Sequence, residues 1–123
     1  MRIGVPKEIK SQEYRVGLTP ESVSELVADG QEVWVETQAG AGIGAEDKNY
    51  VAAGAVIKTT AKEIFDACDM IVKVKEPQAV ERAMLRPGQI LYTYLHLAPD
   101  PDQTRELIEA GAVCIAYETV TED

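Results

Sequence analysis

The strongest constraint on the fold is a regular alternation. A short apolar run, a polar or glycine break and an amphipathic helix follow one another along the whole chain. Arg2 to Pro6 reads as a first strand. Thr19-Pro20-Glu21 then opens a helix, with Thr as cap, Pro at the first helical position and Glu at the positive end of the helix dipole. Val23, Leu26 and Val27 recur at i, i+3 and i+4 as one buried stripe, and Gly30 closes the helix in a left-handed conformation. Glu32 to Glu36 is a second strand, Asp47 to Ala53 a short helix, and Ala55 to Lys58 a third strand. Thr60 and Glu63 have capping-box spacing for the next helix. Met70 to Val74, Gln89 to Leu95 and Ala112 to Tyr117 read as further strands. Between them lie a helix over Ala79 to Leu85 and one that starts at Asp100 and stops at Gly111.

Alternating strands and helices imply right-handed crossovers and a mostly parallel sheet covered on both faces. The expected fold is therefore α/β. It is a doubly wound, flavodoxin-like (Rossmann-like) three-layer sandwich in one domain over residues 1–123. No repeat and no linker divides the chain. Its 123 residues, 46% hydrophobic and 27% charged, are enough for a real core without disulfide or metal.

Twelve Lys and Arg against 21 Asp and Glu give a net charge of −9, which disfavours nucleic acid and anionic membranes as partners. No apolar run approaches the roughly 20 residues of a membrane span. The opening residues lack a signal-peptide apolar region, so the expected location is the cytoplasm. Cys68 and Cys114 lie within a helix and a strand and read as buried thiols. One histidine and no clustered cysteines offer no metal-ligand spacing.

Parallel sheets bind ligands outside the carboxyl ends of their strands, which directs attention to the strand tips. The long loop after the first strand carries Arg15, whose guanidinium can grip a carboxylate with two parallel hydrogen bonds. A solvated surface arginine is the alternative. Lys73 and Lys75 end the fourth strand on one face, with Pro77 fixing the backbone beyond. For both lysines a solvated or a buried, ion-paired side chain is an equal alternative. His96, the only histidine, ends the fifth strand beside Tyr94, where an imidazole can move protons near pH 7. Glu118 at the sixth strand's end suits a supporting role. Together these residues form a basic, proton-transferring patch suited to a small carboxylate.

Gly40-Ala41-Gly42-Ile43-Gly44-Ala45 fits a dinucleotide fingerprint, G-x-G-x-x-A, between a strand and a helix. It lies in the second strand-to-helix turn rather than the first. Glu46 and Asp47 follow at once, and no acid ends the next strand. A tight structural loop is the preferred reading.

Several stretches together resemble the family of alanine dehydrogenases and transhydrogenase alpha subunits. They are Arg2-Ile-Gly-Val-Pro-Lys-Glu, Glu13-Tyr-Arg-Val-Gly-Leu-Thr-Pro, Lys73-Val-Lys-Glu-Pro, Tyr94-Leu-His-Leu-Ala and Tyr117-Glu-Thr-Val. The resemblance covers all 123 residues in order. The Lys-Glu-Pro and His-Leu-Ala stretches favour its alanine dehydrogenase branch.

This resemblance implies NAD-dependent oxidative deamination of L-alanine to pyruvate and ammonia, and the reverse amination. It matches Arg15 and Lys75 to positions that hold the substrate carboxylate and carbonyl, and His96 to the catalytic acid/base. It also implies that NAD is bound by a further domain, that the full-length enzyme is a homo-oligomer, commonly a hexamer, and that residues 1–123 are the amino-terminal part of the catalytic domain, inactive alone. Two other functions compete. One is a transhydrogenase-like nucleotide-binding subunit; the other is a non-enzymatic flavodoxin-like module that senses a small carboxylate.

Overall fold

The structure, a computed structural model, describes residues 1–10, 12–93, 105 and 109–116, with the side chains of Cys114 and Ala116 excepted. Its strands are β1 (Arg2–Val5), β2 (Glu32–Glu36), β3 (Val56–Lys58), β4 (Met70–Val72), β5 (Ile90–Thr93) and β6 (Val113–Ala116). Between them lie α1 (Pro20–Ala28), α2 (Asp47–Ala52), α3 (Ala61–Ala67) and α4 (Ala79–Arg82), and a single 3-10 turn over Ala41–Ile43 precedes α2. The six strands form one sheet in the order β3-β2-β1-β4-β5-β6, and every neighbouring pair is parallel. Of the two common doubly wound orders this is 3-2-1-4-5-6, the Rossmann order, and not the 2-1-3-4-5 of flavodoxin-like sheets. The order reverses between β1 and β4, so the crevice for ligands lies at the tips of those two strands.

The helix ends follow local chemistry. Thr19 caps α1 by accepting from the Ser22 N–H at 3.3 Å, with Pro20 as the first helical residue. Gly30 turns the chain out of α1 at φ +90°. Thr60 caps α3 through the Glu63 N–H, but the Glu63 carboxylate turns to the Thr59 and Thr60 hydroxyls, so the expected capping box is only half formed. The reciprocal partner appears elsewhere. The N–H of Gln78, ahead of α4, donates to Glu81 Oε1 at 2.8 Å. The α4 helix ends at Arg82 rather than Leu85, and β4 stops at Val72 rather than Val74. The helix expected between Asp100 and Gly111 falls largely outside the described residues.

Side-chain alternation along the strands makes two cores. Ile3, Val5, Val33 and Val35 pack with Val23 of α1 and Tyr50 of α2 on one face. Ile71 and Leu91 pack with Ile64 and Phe65 of α3 on the other. This is the three-layer arrangement expected. Cys68 follows α3 in that second core, and burial pushes its thiol up to about 12, so it is an inert apolar filler.

Candidate active site at the tips of β1 and β4

The loop from Pro6 to Thr19 runs from β1 to α1 across the end of β4. Gly17 makes that course possible, because a Cβ there would overlap the Val72 carbonyl. Two acidic residues in or before this loop's turn organise the basic ones, and neither stood out in the sequence.

The first is Glu8. Its side chain is 2% exposed and bridges to β4. Oε1 accepts from Lys73 Nζ at 3.0 Å and from the Lys75 N–H at 3.2 Å, and Oε2 accepts from the Val74 N–H at 2.9 Å. Lys73 is also buried, and its ammonium lies 3.1 Å from Glu81 Oε2 of α4. Lys73 is therefore a buried ion-paired lysine, sealed between two carboxylates just past β4, and is not presented to a ligand. Burial pushes the Glu81 carboxyl above the usual carboxylate range, with Lys73 and the Gln78 N–H opposing.

The second is Glu13. Its carboxylate accepts from Arg15 Nε and Nη2, both at 3.0 Å, and from the Arg15 N–H at 2.7 Å. These bonds hold the Glu13 carboxyl below the usual range, and the Lys75 charge acts on it in the same direction. Arg15 is the residue that grips this carboxylate. The Arg15 side chain is 61% exposed, and the fork it makes with Glu13 is the grip it would make on a ligand carboxylate.

Lys75 is half-buried. Its N–H is held by Glu8 and its carbonyl accepts from Thr93 Oγ1 of β5 at 2.8 Å. Among the described residues its ammonium makes no hydrogen bond or ion pair. Glu76, the next residue, pairs with Lys10 of the β1–α1 loop and ties the two segments together again. A cavity of about 260 Å³ opens beside Arg15 and is lined also by Lys7, Glu8, Glu13, Gln38 and Gly42. That volume suits a molecule of a few heavy atoms. His96, Tyr94 and Glu118 lie outside the described residues.

The glycine loop has a different task from phosphate binding. A Cβ on Gly42 would overlap the Tyr14 backbone, so the loop is a seat for the segment that carries Glu13 and Arg15. The start of α2 is already supplied with acceptors. Asp47 accepts from Thr37 Oγ1 at 2.6 Å and the Gln38 N–H at 2.9 Å, while the Glu46 N–H donates to Asn49 Oδ1. Two carboxylates at this point repel a pyrophosphate. The residues here do not fit a dinucleotide. No cluster able to hold a metal ion is present among the described residues.

Residues 4–123 match the model of the alanine dehydrogenase/PNT N-terminal domain family. The chain belongs to this family. It is 53% identical over 120 residues to an alanine dehydrogenase of Methanococcus maripaludis and 51% identical over 122 residues to that of Bacillus subtilis. These alignments take in 98% and 99% of this chain and 32% of each relative, so the chain spans about a third of the length of the curated relatives it matches. Among solved structures, an L-alanine dehydrogenase superposes with TM-score 0.93 at 51% identity, covering 96% of this chain and 32% of that one. A transhydrogenase from Sinorhizobium meliloti superposes with TM-score 0.89 at 30% identity, covering 96% of this chain and 35% of that one. Membership of the family agrees with the motif resemblance, and the α/β Rossmann-like fold is common to both structural neighbours. No helix among the described residues is long and apolar enough to cross a membrane.

Proposed function

We propose that this chain is the amino-terminal part of the catalytic domain of an NAD-dependent L-alanine dehydrogenase, and that it supplies the substrate-binding wall of the active site. The observation that carries this reading is the two-bond fork that Arg15 makes with a carboxylate, that of Glu13, in the loop that follows β1. The alanine dehydrogenases named above, about half identical over nearly all of this chain, support it.

In this account Arg15 grips the carboxylate of alanine or pyruvate and Lys75 meets its carbonyl oxygen. The two cations orient the substrate and stabilise charge that develops on oxygen. His96 moves the proton: it accepts one as water adds to the imine, and returns one in the reverse amination. NAD supplies the hydride acceptor and is held by a further domain of the full-length protein. The protein acts in the cytoplasm as a homo-oligomer.

The test is NADH formation from L-alanine and NAD by the full-length protein. It should turn over, and His96→Ala should lower turnover by roughly 100-fold or more. Failure of the parent to oxidise alanine would overturn the assignment. The transhydrogenase superposition favours a second reading, hydride exchange between two nicotinamides. The same protein would then exchange hydride between nicotinamides without alanine.

A further inference from the structure

We propose that Glu8 is a positioning residue for substrate binding, acting through Lys75. The inference rests on the function proposed above and adds a residue to its machinery. Glu8 and Arg15 share one loop, and Glu8 reaches from it to the tip of β4. There its two oxygens take the consecutive N–H groups of Val74 and Lys75, at 2.9 and 3.2 Å, and the Lys73 ammonium at 3.0 Å. Successive backbone N–H groups that face one point form an anion cradle. The protein's own carboxylate fills it.

The chemistry requires a carboxylate. All three partners are donors, and only a carboxylate offers two oxygens that accept without a competing N–H. A glutamine would turn its amide NH₂ toward an N–H or an ammonium. Lys73 supplies the compensating charge, and Glu81 completes its coordination from α4. Lys73 and Glu81 alone would make a buried ion pair. They would not account for the bond from Glu8 to the Lys75 N–H.

That bond matters because Lys75 carries its charge on a long, flexible stem. A small rotation of its main chain swings the ammonium through a large arc. Glu8 holds the N–H and Thr93 holds the carbonyl, so the residue's backbone is fixed at both ends. The same carboxylate fixes the distance between the loop that bears Arg15 and the strand tip that bears Lys75. Glu8 therefore sets the spacing of the two cations through the main chain of Lys75.

The experiment is a double-mutant cycle in the full-length protein, using pyruvate, ammonium and NADH. Glu8→Gln should raise the KM for pyruvate by about tenfold or more, with the KM for NADH held within about threefold. In a Lys75→Ala background, adding Glu8→Gln should change the pyruvate KM by less than about twofold, since the lever it acts on is gone. A general structural role predicts full multiplication of the two effects. Such multiplication, or an unchanged pyruvate KM in Glu8→Gln, overturns the proposal. Should Glu8→Gln fail to fold, Glu8→Asp takes its place. It keeps the charge, shortens the reach by one methylene and is judged by the same cycle. A parent protein that does not reduce pyruvate defeats the underlying function and this inference together. A parent that does, with independent effects in the cycle, defeats this inference alone.

Discussion

Thr93 Oγ1 donates a 2.8 Å hydrogen bond to the main-chain carbonyl of Lys75. Thr93 is fully buried on β5, so the central sheet itself steadies Lys75, three residues beyond β4. Thr93→Val keeps the shape and removes the donor. It should lower the unfolding free energy by about 1 kcal/mol. Urea denaturation checks this, and the midpoint should fall with the slope unchanged. A midpoint equal to the parent's would show that the bond does not matter to stability.

Lys73 sits between Glu8 and Glu81, and all three side chains are at most 2% exposed. Lys73→Met should leave two facing carboxylates with no counter-charge. The expected loss is about 3–5 kcal/mol, the usual cost of breaking a buried ion pair from one side. The substitution is close in volume, so a cavity does not confuse the result. A loss below about 1 kcal/mol, the range of surface pairs, would contradict the burial of this cluster.

Glu81 gives the cluster a pH dependence. Burial raises its carboxyl above the usual range, so the folded protein binds this proton more tightly than the unfolded chain does. Its contribution is most favourable below the ordinary carboxylate range, and diminishes as pH rises through the folded value. Glu81→Gln removes this titration. The stability of the parent relative to Glu81→Gln should therefore fall as pH increases above about 4.3. A difference that grows in the parent's favour with rising pH would contradict the assigned direction.

Gly42 sits against the Tyr14 backbone. Gly42→Ala must push the Glu13–Arg15 segment away, and overpacking of this kind costs about 1–3 kcal/mol. In the full-length protein the pyruvate KM should rise while the NADH KM stays unchanged. A selective loss of NADH binding would restore the nucleotide reading of this loop.

Much of this was legible in the residues because local chemistry and global fold agree. Thr19-Pro20 and Thr60 start helices, Gly30 stops one, and the apolar runs over Glu32–Glu36 and Met70–Val72 are strands in the sheet. Strand ends were less legible. The pattern ran β4 on to Val74, but Glu8 takes the N–H groups of Val74 and Lys75, and the strand stops at Val72. Strand order was not legible at all, since alternation is the same in either doubly wound arrangement. Arg15, in the long loop after β1, and Lys75, expected at the end of β4 and lying three residues beyond it, are candidates that the sequence offers by position. Glu8 and Glu13 do not stand out, because acidic residues in a loop look like solvated surface. Their contacts lie 65 or more residues away for Glu8, and in a two-residue fold-back for Glu13. The Pro6-Lys7-Glu8 stretch directly after a buried strand is the available hint.

In the proposed function, Arg15 and Lys75 hold the substrate. The most direct test is the pyruvate dependence of NADH oxidation by the full-length protein, at saturating ammonium and NADH, compared between parent and Lys75→Ala. The pyruvate KM should rise by about tenfold or more in Lys75→Ala, the loss of one charge-assisted contact, with NADH dependence unaltered. A Lys75→Ala enzyme whose pyruvate dependence matches the parent's would contradict that function.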